Sequence, residues 1–440
     1  MLSYYHHQED TISFGANRSY ADLSEMGTGK TLSTLGIISR LDNPTVLVVA
    51  PKTIIHSAWV SDCNRFFPHL KIIPVVGSKQ DKINALQEDS NIYVTNYETM
   101  NQGFDFAESD FDMIVCDEAV RLKNHRAKWT KKITQLSKHI PVRIILSGLI
   151  TPNNLQEIYA PFNFIKPGIL GKSFWSFRSQ YFTPDPWSYQ NRKWLPKKNA
   201  EKHITDKLSS FIIRHEKKSC IDLPEKVHSV RHTTMTPMQR KNYSNMKKNA
   251  IIMLEDKAVS ASTKASLIQK LAQISSGFIY DKEHNSHTFE GSGKLNELRS
   301  IMEGELAGEQ ILIFTNFRAE TQLFKNEFPD ESFIYGGQSD IEQERMIDEF
   351  KNGETRYMFA SISAAKYGLT FTNCSHVIYY SLNYSLDDFA QSQDRIHRIG
   401  QTRTAHYIYL LNTKTVDTHI YKALRKKKKL NDLIIELINE

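Results

Sequence analysis

The sequence predicts an α/β protein of two successive βαβ layers with mostly helical insertions between them. Three observations predict it. Continuous β-branched runs recur, helical stretches alternate with them, and a glycine-rich turn in the first half opens into a helix. Such alternation implies parallel sheets joined by right-handed crossovers. The 440 residues suffice for at least two sizeable cores. The layers divide the chain into a first lobe at 1–165, an aromatic and basic insertion at 166–230, a helical insertion and connection at 231–291, and a second lobe at 292–440.

Composition narrows the class. With 40 % hydrophobic and 24 % charged residues, the chain is neither disordered nor membrane-embedded. No apolar run is long enough to cross a bilayer, and Met1 to His7 lacks the apolar core of a secretion signal. Cys63, Cys116, Cys220 and Cys374 are widely separated, which argues against a zinc site or disulfide framework and fits a reducing cytosol. A net charge of +7 suits an anionic polymer partner and equally an ordinary basic surface.

In the first half, Gln8 can both donate to and accept from an adenine edge. Ser24-Glu25-Met26-Gly27-Thr28-Gly29-Lys30-Thr31 then tightens through two glycines and opens into a helix-like run from Leu32 to Leu41. Backbone N–H groups curled by Gly27, Thr28 and Gly29 would cradle an anion at a helix N-terminus. Lys30 would reach the β- and γ-phosphates of ATP, and the Thr31 hydroxyl would bind Mg²⁺. The full pattern has a glycine where Ser24 stands; the plain alternative is a glycine-rich helix start.

Core strands follow at Thr45–Pro51, Ile72–Val76 and Ile92–Tyr97, with a helix-like stretch from Trp59 to Phe67 between the first two. The strand Met113–Cys116 runs into Asp117 and Glu118, at the carboxyl edge where open α/β sheets place ligands. Asp117 would hold Mg²⁺ and Glu118 would orient and deprotonate the attacking water; a solvated acidic loop is the alternative. A further strand, Val142–Leu146, ends in Ser147-Gly148, either a bridge to a second ligand or a plain turn.

The middle breaks the alternation. Trp175, Phe177, Tyr181, Phe182, Trp187, Tyr189 and Trp194 are interleaved with Lys172, Arg178, Arg192, Lys193, Lys197 and Lys198. Rings stack on bases and cations neutralise phosphates, so the segment suits nucleic acid; a small helical satellite core with a basic rim is the rival. The candidate contacts are Lys52, Arg178, Trp187, Arg192, Lys193 and Trp194. Between 237 and 277, Met238, Tyr243, Met246, Leu267, Leu271 and Ile274 follow a helical period expected of packing. Ser286–Gly293 reads as a flexible connection.

The second layer has strands at Gln310–Thr315, Arg356–Ala360 and Val377–Tyr380, with a helix at Ile341–Phe350 and no phosphate loop of its own. In Gln391–Gln401, Arg395 and Arg398 stand three apart, on one face of a predicted helix. Two guanidiniums there suit charge stabilisation on a transferring phosphate, worth about 10³–10⁵ in rate; structural pairing with carboxylates such as Asp394 is the alternative. The run Arg425–Lys429 reads as a solvated helix face.

Together these stretches resemble the SNF2 family of superfamily 2 helicase-like ATPases along nearly the whole chain. The carriers are Glu25–Thr31, Asp117-Glu118-Ala119 with Lys123-Asn124, Leu146-Ser147-Gly148, Arg214 with Leu223-Pro224-x-Lys226, Ser292-Gly293-Lys294-Leu295, and Gln391–Gln401. Ser363-Ala364-Ala365 with Gly368-Leu369-Thr370 is similar to the fork-remodelling, annealing-helicase branch. Compact phage and bacterial members, the branched-DNA helicases of T5-like phages among them, share this length. The resemblance implies two RecA-like lobes that clamp ATP and Mg²⁺, with Gln8 reading adenine and Arg395 and Arg398 as arginine fingers. It also implies a monomer that moves along duplex, forked or branched DNA, in the cytoplasm of a bacterial or phage-infected cell, or in the nucleus of a eukaryote. Val120 departs from a usual histidine, Ser24 from a usual aspartate, and Leu149-Ile150 from a usual Thr-Pro, found here displaced at Thr151-Pro152. The first and last of these bear on coupling hydrolysis to DNA movement.

Overall fold

A computed structural model describes residues 3–102, 106, 110–148, 154–185, 194–220, 222–255, 261–281, 283, 285–289, 291–365 and 369–426. The chain divides into two units, Met1–Asp222 and Leu223–Glu440. Both are α/β with a parallel main sheet, as predicted.

The first unit contains β1 (Tyr20–Asp22), β2 (Val46–Ala50), β3 (Ile72–Val75), β4 (Ile92–Asn96), β5 (Met113–Asp117), β6 (Val142–Leu146), a hairpin of β7 (Phe182–Pro184) and β8 (Trp194–Pro196), and β9 (Ile212–Ile213). The main sheet runs β3-β4-β2-β5-β6-β1-β9, with every pair parallel. All five side chains of β2 and of β5 are buried, the reason their sequences are continuous rather than alternating. The short strands β1 and β9 have no such signature; their place comes from pairing with neighbours.

Two helices frame the loop after β1: α1 (His6–Gly15) and α2 (Lys30–Ile38), the latter two residues longer at its start than predicted. They pack closely at Gly36, where an added Cβ would lie 2.8 Å from Ile12 Cδ1. The predicted helix near Trp59 is composite. Helix Lys52–Ile54 continues through a π-helical turn, Ile55–Val60, into helix Ser61–Phe66.

The part of the 166–230 insertion that lies in the first unit, up to Asp222, does not stand apart from the first lobe. Phe177, Tyr181, Phe182, Ile204 and Leu208 are buried in one core with Val49, Ile114 and Ile145 of the sheet. The satellite-core alternative accounts for those aromatics.

The second unit contains β10 (Lys226–Thr233), a hairpin of β11 (Phe278–Tyr280) and β12 (Ser286–Thr288), then β13 (Ile311–Thr315), β14 (Ser332–Ile334), β15 (Tyr357–Ser361), β16 (His376–Tyr379) and β17 (Ala405–Asn412). Its main sheet runs β10-β17-β16-β13-β15-β14 and is parallel throughout. Residues 223–230, predicted to close the first lobe's insertion, therefore belong to the second unit. Strand β10 pairs with β17 along eight residues, but most of its side chains are only half-buried, so no apolar run announces it.

Helices Pro237–Glu255 and Ala261–Ser276 pack on this sheet: Tyr243, Leu267, Leu271 and Ile274 share a core with Phe314, Tyr379 and Ile420. Met238, predicted to pack, is 58 % exposed. The predicted flexible connection at Ser286–Gly293 instead includes β12, which pairs with β11. Buried Lys294 pairs with Asp417 at 2.7 Å, and Asp417 Oδ2 also accepts from Ser275 Oγ and Asn412 N. A buried ion pair needs such added hydrogen bonds to offset desolvation. Among the described residues, no helix is long and apolar enough to cross a membrane.

Candidate functional site

The phosphate loop starts where β1 ends. Asp22, 1 % exposed, accepts from Ser24 N at its Oδ1 (2.9 Å) and from Ser147 N at its carbonyl (3.0 Å). The loop is then stapled to the chain after β9. Leu23 N donates to Ile213 O, Glu25 N to His215 O, His215 N to Ser24 Oγ, and Lys217 N to Glu25 Oε2, at 2.9 to 3.0 Å. Ser24, where a glycine was expected, thus supplies an acceptor that glycine lacks.

Gly27 and Gly29 both hold positive φ, +79° and +83°. At Gly29 an added Cβ would lie 2.2 Å from Gln8 Nε2. A left-handed backbone costs a residue with a side chain about 1–2 kcal/mol, before any clash. Gly29→Ala is therefore expected to weaken binding of a fluorescent ATP analogue by at least about tenfold, the equivalent of 1.4 kcal/mol. Unchanged affinity in an equilibrium titration would show that the loop yields instead.

Lys30 opens α2, and its ammonium donates to Ser24 O (2.8 Å) and Glu25 O (3.1 Å), which places it over the loop. Thr31 follows on the helix's first turn. Gln8 is 1 % exposed; its Oε1 accepts from Tyr5 N, and its Nε2 lies 3.5 Å from Thr28 O. His7 Nε2 donates to the same carbonyl at 2.8 Å. Helix α1 thus braces the loop through two adjacent side chains, His7 and Gln8.

The acidic pair stands at the carboxyl end of β5, on the same edge of the parallel sheet as the phosphate loop. Asp117 Oδ2 accepts from Trp59 Nε1 at 2.9 Å, its Oδ1 from Glu118 N at 2.8 Å, and its carbonyl from Tyr97 Oη at 2.7 Å. Burial raises the Asp117 pKa, and the Asp22 charge adds to the rise. The Trp59 and Glu118 hydrogen bonds and the Lys30 ammonium oppose it. Glu118 holds φ +49°, ψ +53°, a left-handed conformation that costs a non-glycine residue about 1–3 kcal/mol and clusters at functional sites.

The residues fit a magnesium–nucleotide complex. Asp117 is a buried carboxylate whose ionised form burial disfavours, so an added cation would stabilise it. Among the described residues no group of three or more His, Cys, Asp or Glu could hold a metal alone. Mg²⁺ is commonly held by one or two protein oxygens together with substrate phosphates, and the Asp117 carboxylate is such an oxygen donor.

In the second unit the helix Leu386–Gln393 stops before the arginines, so the predicted single helix face is a turn instead. Its backbone groups find partners elsewhere: Gln393 O accepts from Tyr407 Oη (2.7 Å), Arg395 N donates to Ser392 O (3.2 Å), and Arg395 O accepts from Phe371 N (2.9 Å). Arg395, 6 % exposed, donates from Nε to Gln391 O and from Nη1 to Leu369 O, each at 2.9 Å. Arg398 Nη1 donates to Thr370 Oγ1 at 2.7 Å. The turn brings both guanidiniums to residues 369–370.

Of the candidate nucleic-acid contacts, Arg178 lies 4.3 Å from the Trp194 ring centre and 5.6 Å from that of exposed Trp175. Burial, with the nearby Arg126 charge, lowers its pKa, and the rings of Phe174, Trp175 and Trp194 surround its guanidinium. Lys52 is exposed at the start of helix Lys52–Ile54. Trp187, Arg192 and Lys193 lie outside the described residues, as do Gly368 and Leu149–Pro152.

Sequence reasoning missed Trp59, Tyr97, Asp22, His7 and His215. Trp59 and Asp117 are 58 positions apart, and the indole that reaches the carboxylate stands in the π-helical turn. An acidic residue directly before the phosphate loop was the one available signal, for Asp22.

Residues 21–277 match the SNF2-related domain, and residues 293–400 match the helicase conserved C-terminal domain. The chain is 26 % identical over 94 % of its length to the Chromodomain-helicase-DNA-binding protein 1-like of Danio rerio, covering 41 % of that protein. It is 26 % identical over 94 % of its length to the Putative ATP-dependent helicase/translocase YwqA of Bacillus subtilis (strain 168), covering 46 %. It is also 26 % identical over 96 % of its length to the ATP-dependent DNA helicase DDM1 of Arabidopsis thaliana, covering 59 %. The chain thus spans about two-fifths to three-fifths of these relatives. Among solved structures, the Sulfolobus solfataricus SWI2/SNF2 ATPase core in complex with dsDNA is 25 % identical, covers 97 % of this chain and 91 % of its own, and has a TM-score of 0.48. With the first domain match alone taking in more than half of the residues, over the phosphate loop and the acidic pair, the chain belongs to the SNF2-related family.

Proposed function

We propose that this protein is a DNA-stimulated ATPase that translocates on duplex DNA and remodels or unwinds forks and junctions, in replication, recombination or repair. The observation that carries the reading is the buried Asp117, held by Trp59 on the same sheet edge as the Lys30 loop. That arrangement is a site for a triphosphate and its metal. Relatives named as an ATP-dependent DNA helicase and as a putative ATP-dependent helicase/translocase support the choice of DNA and of movement.

Gly27, Thr28 and Gly29 cradle the phosphates, Lys30 binds the β- and γ-groups, and Gln8 reads adenine. Thr31 and Asp117 hold Mg²⁺, whose charge, when bound, neutralises phosphate oxygens. Glu118 orients the attacking water and takes its proton. Arg395 and Arg398 stabilise charge on the transferring phosphate. Lys52, Arg178, Trp187, Arg192, Lys193 and Trp194 are the proposed DNA contacts, and the fork-remodelling branch of compact phage and bacterial members is the proposed kinship. The proposed working form is a monomer, in the cytoplasm of a bacterial or phage-infected cell, or in the nucleus of a eukaryote.

The test is ATP hydrolysis with duplex, forked, four-way-junction and single-stranded DNA, and with RNA, in parallel, alongside strand displacement on the same DNAs. The expected result is strongest stimulation by duplex or branched DNA, with strand displacement or remodelling on forks and junctions. Stimulation by RNA alone would overturn the substrate assignment.

A further inference from the structure

The arginine turn has two faces. Arg395 and Arg398, three apart, reach residues 369–370; Asp394 and His397, also three apart, reach the start of β10. Lys226 Nζ stands 3.5 Å from Asp394 Oδ1, and His397 Nε2 donates to Pro224 O at 2.8 Å. We propose that Lys226 and His397 are positioning residues, clamping the arginine turn to the first residues of β10 and so setting where Arg395 and Arg398 point. The inference rests on the proposed ATPase reading for its catalytic consequence, but not for the clamp itself.

Three observations support a clamp over an incidental surface pair. First, the pair is largely shielded: the side chains of Lys226 and Asp394 are 29 % and 17 % exposed. Fully solvated pairs contribute little because water and salt screen them. Second, the anchor is fixed to the sheet. Ala405 N donates to Glu225 O at 3.0 Å, Lys226 is in register with Ala405, and the His228 ring stacks on Tyr407 at 5.1 Å. Tyr407 Oη in turn donates to the carbonyl of Gln393, the last helical residue before the turn, at 2.7 Å. Third, the turn has stopped being helix, so its direction depends on contacts of this kind rather than on helix geometry.

The anchor's place in the chain gives it a use. The second unit opens at Leu223, one residue before Pro224 and three before Lys226. The first residues of the second unit are therefore bonded to the segment that carries both arginines. Any displacement of β10's start would be passed to them through Asp394 and His397.

The test is Lys226→Met, which keeps the aliphatic stem and removes the charge, with Lys226→Arg as the conservative partner and Asp394→Asn as the reciprocal change. Misplacement by about 1 Å can cost about 10²-fold in rate, so a loosened turn is expected to lower kcat by about tenfold. KM for ATP should stay within about twofold, because the nucleotide loop is untouched. Lys226→Arg should restore kcat to within about threefold, and Asp394→Asn should reproduce the same split. Amide exchange of residues 393–401 should be faster in Lys226→Met. Unchanged kcat, a rise in KM with kcat intact, or unchanged amide exchange would overturn the clamp. If the wild-type chain turns over no ATP, the proposed function fails and amide exchange alone decides: faster exchange upholds the clamp, unchanged exchange overturns it.

Discussion

Glu118→Gln is expected to lower ATP turnover by about 10²–10⁴-fold, the range of a lost general base, while the nucleotide still binds. The substitution keeps the side chain's size and removes only its ability to take a proton. The hydrogen bond that fixes Asp117 Oδ1 comes from the Glu118 backbone N–H and survives the change. The left-handed backbone at 118 is strained equally by either residue. Single-turnover hydrolysis and ATP titration, run on both proteins, separate the two steps. If wild type and variant hydrolyse equally poorly while DNA binding still depends on ATP, the protein is a hydrolysis-impaired clamp instead. Val120, half-buried in the turn Ala119–Lys123, is where that reading would start, since the family resemblance led to a histidine there.

Arg398→Ala is expected to lower kcat by about 10³-fold or more, within the span reported for arginine fingers, with ATP affinity changed by less than about threefold. Arg398 is the cleaner of the two sites to test. Arg395 is 6 % exposed and its side chain bonds two backbone carbonyls, so removing it would also loosen the contacts to Gln391 and Leu369. Arg398 donates to a side chain, Thr370 Oγ1, and is half-buried. Arg398→Lys should recover little, because an ammonium keeps the charge but not the planar, forked donor set. A loss smaller than tenfold in Arg398→Ala would remove Arg398 from the reaction and leave it as a structural contact to Thr370.

Strands β2, β5, β6 and β13 were legible because each is buried along most of its length, and burial on both faces leaves an unbroken apolar run. The phosphate loop was legible because its geometry demands residue types: positive φ at Gly27 and Gly29, and a cation at the helix start. Asp117 and Glu118 were legible because they end a buried strand. Strands β1, β9 and β10 were not, since two or three residues, or half-buried ones, carry no periodic signal. The aromatic insertion was open to two readings, because rings beside cations look alike whether they stack on bases or on each other; of its rings, Phe177, Tyr181 and Phe182 are core.

Sequence by itself determined the α/β class and located the glycine loop at a helix start and the acidic pair at a strand end, because local backbone geometry and burial impose residue types that can be read in order. Tertiary structure alone decided that Trp59 reaches Asp117, that Ser24 accepts from His215, that Arg395 reaches Leu369 O, and that β10 pairs with β17 in the second sheet. Each of those is a contact between residues far apart in the chain. No local preference encodes such a contact; it exists only once packing has brought both partners to the same place.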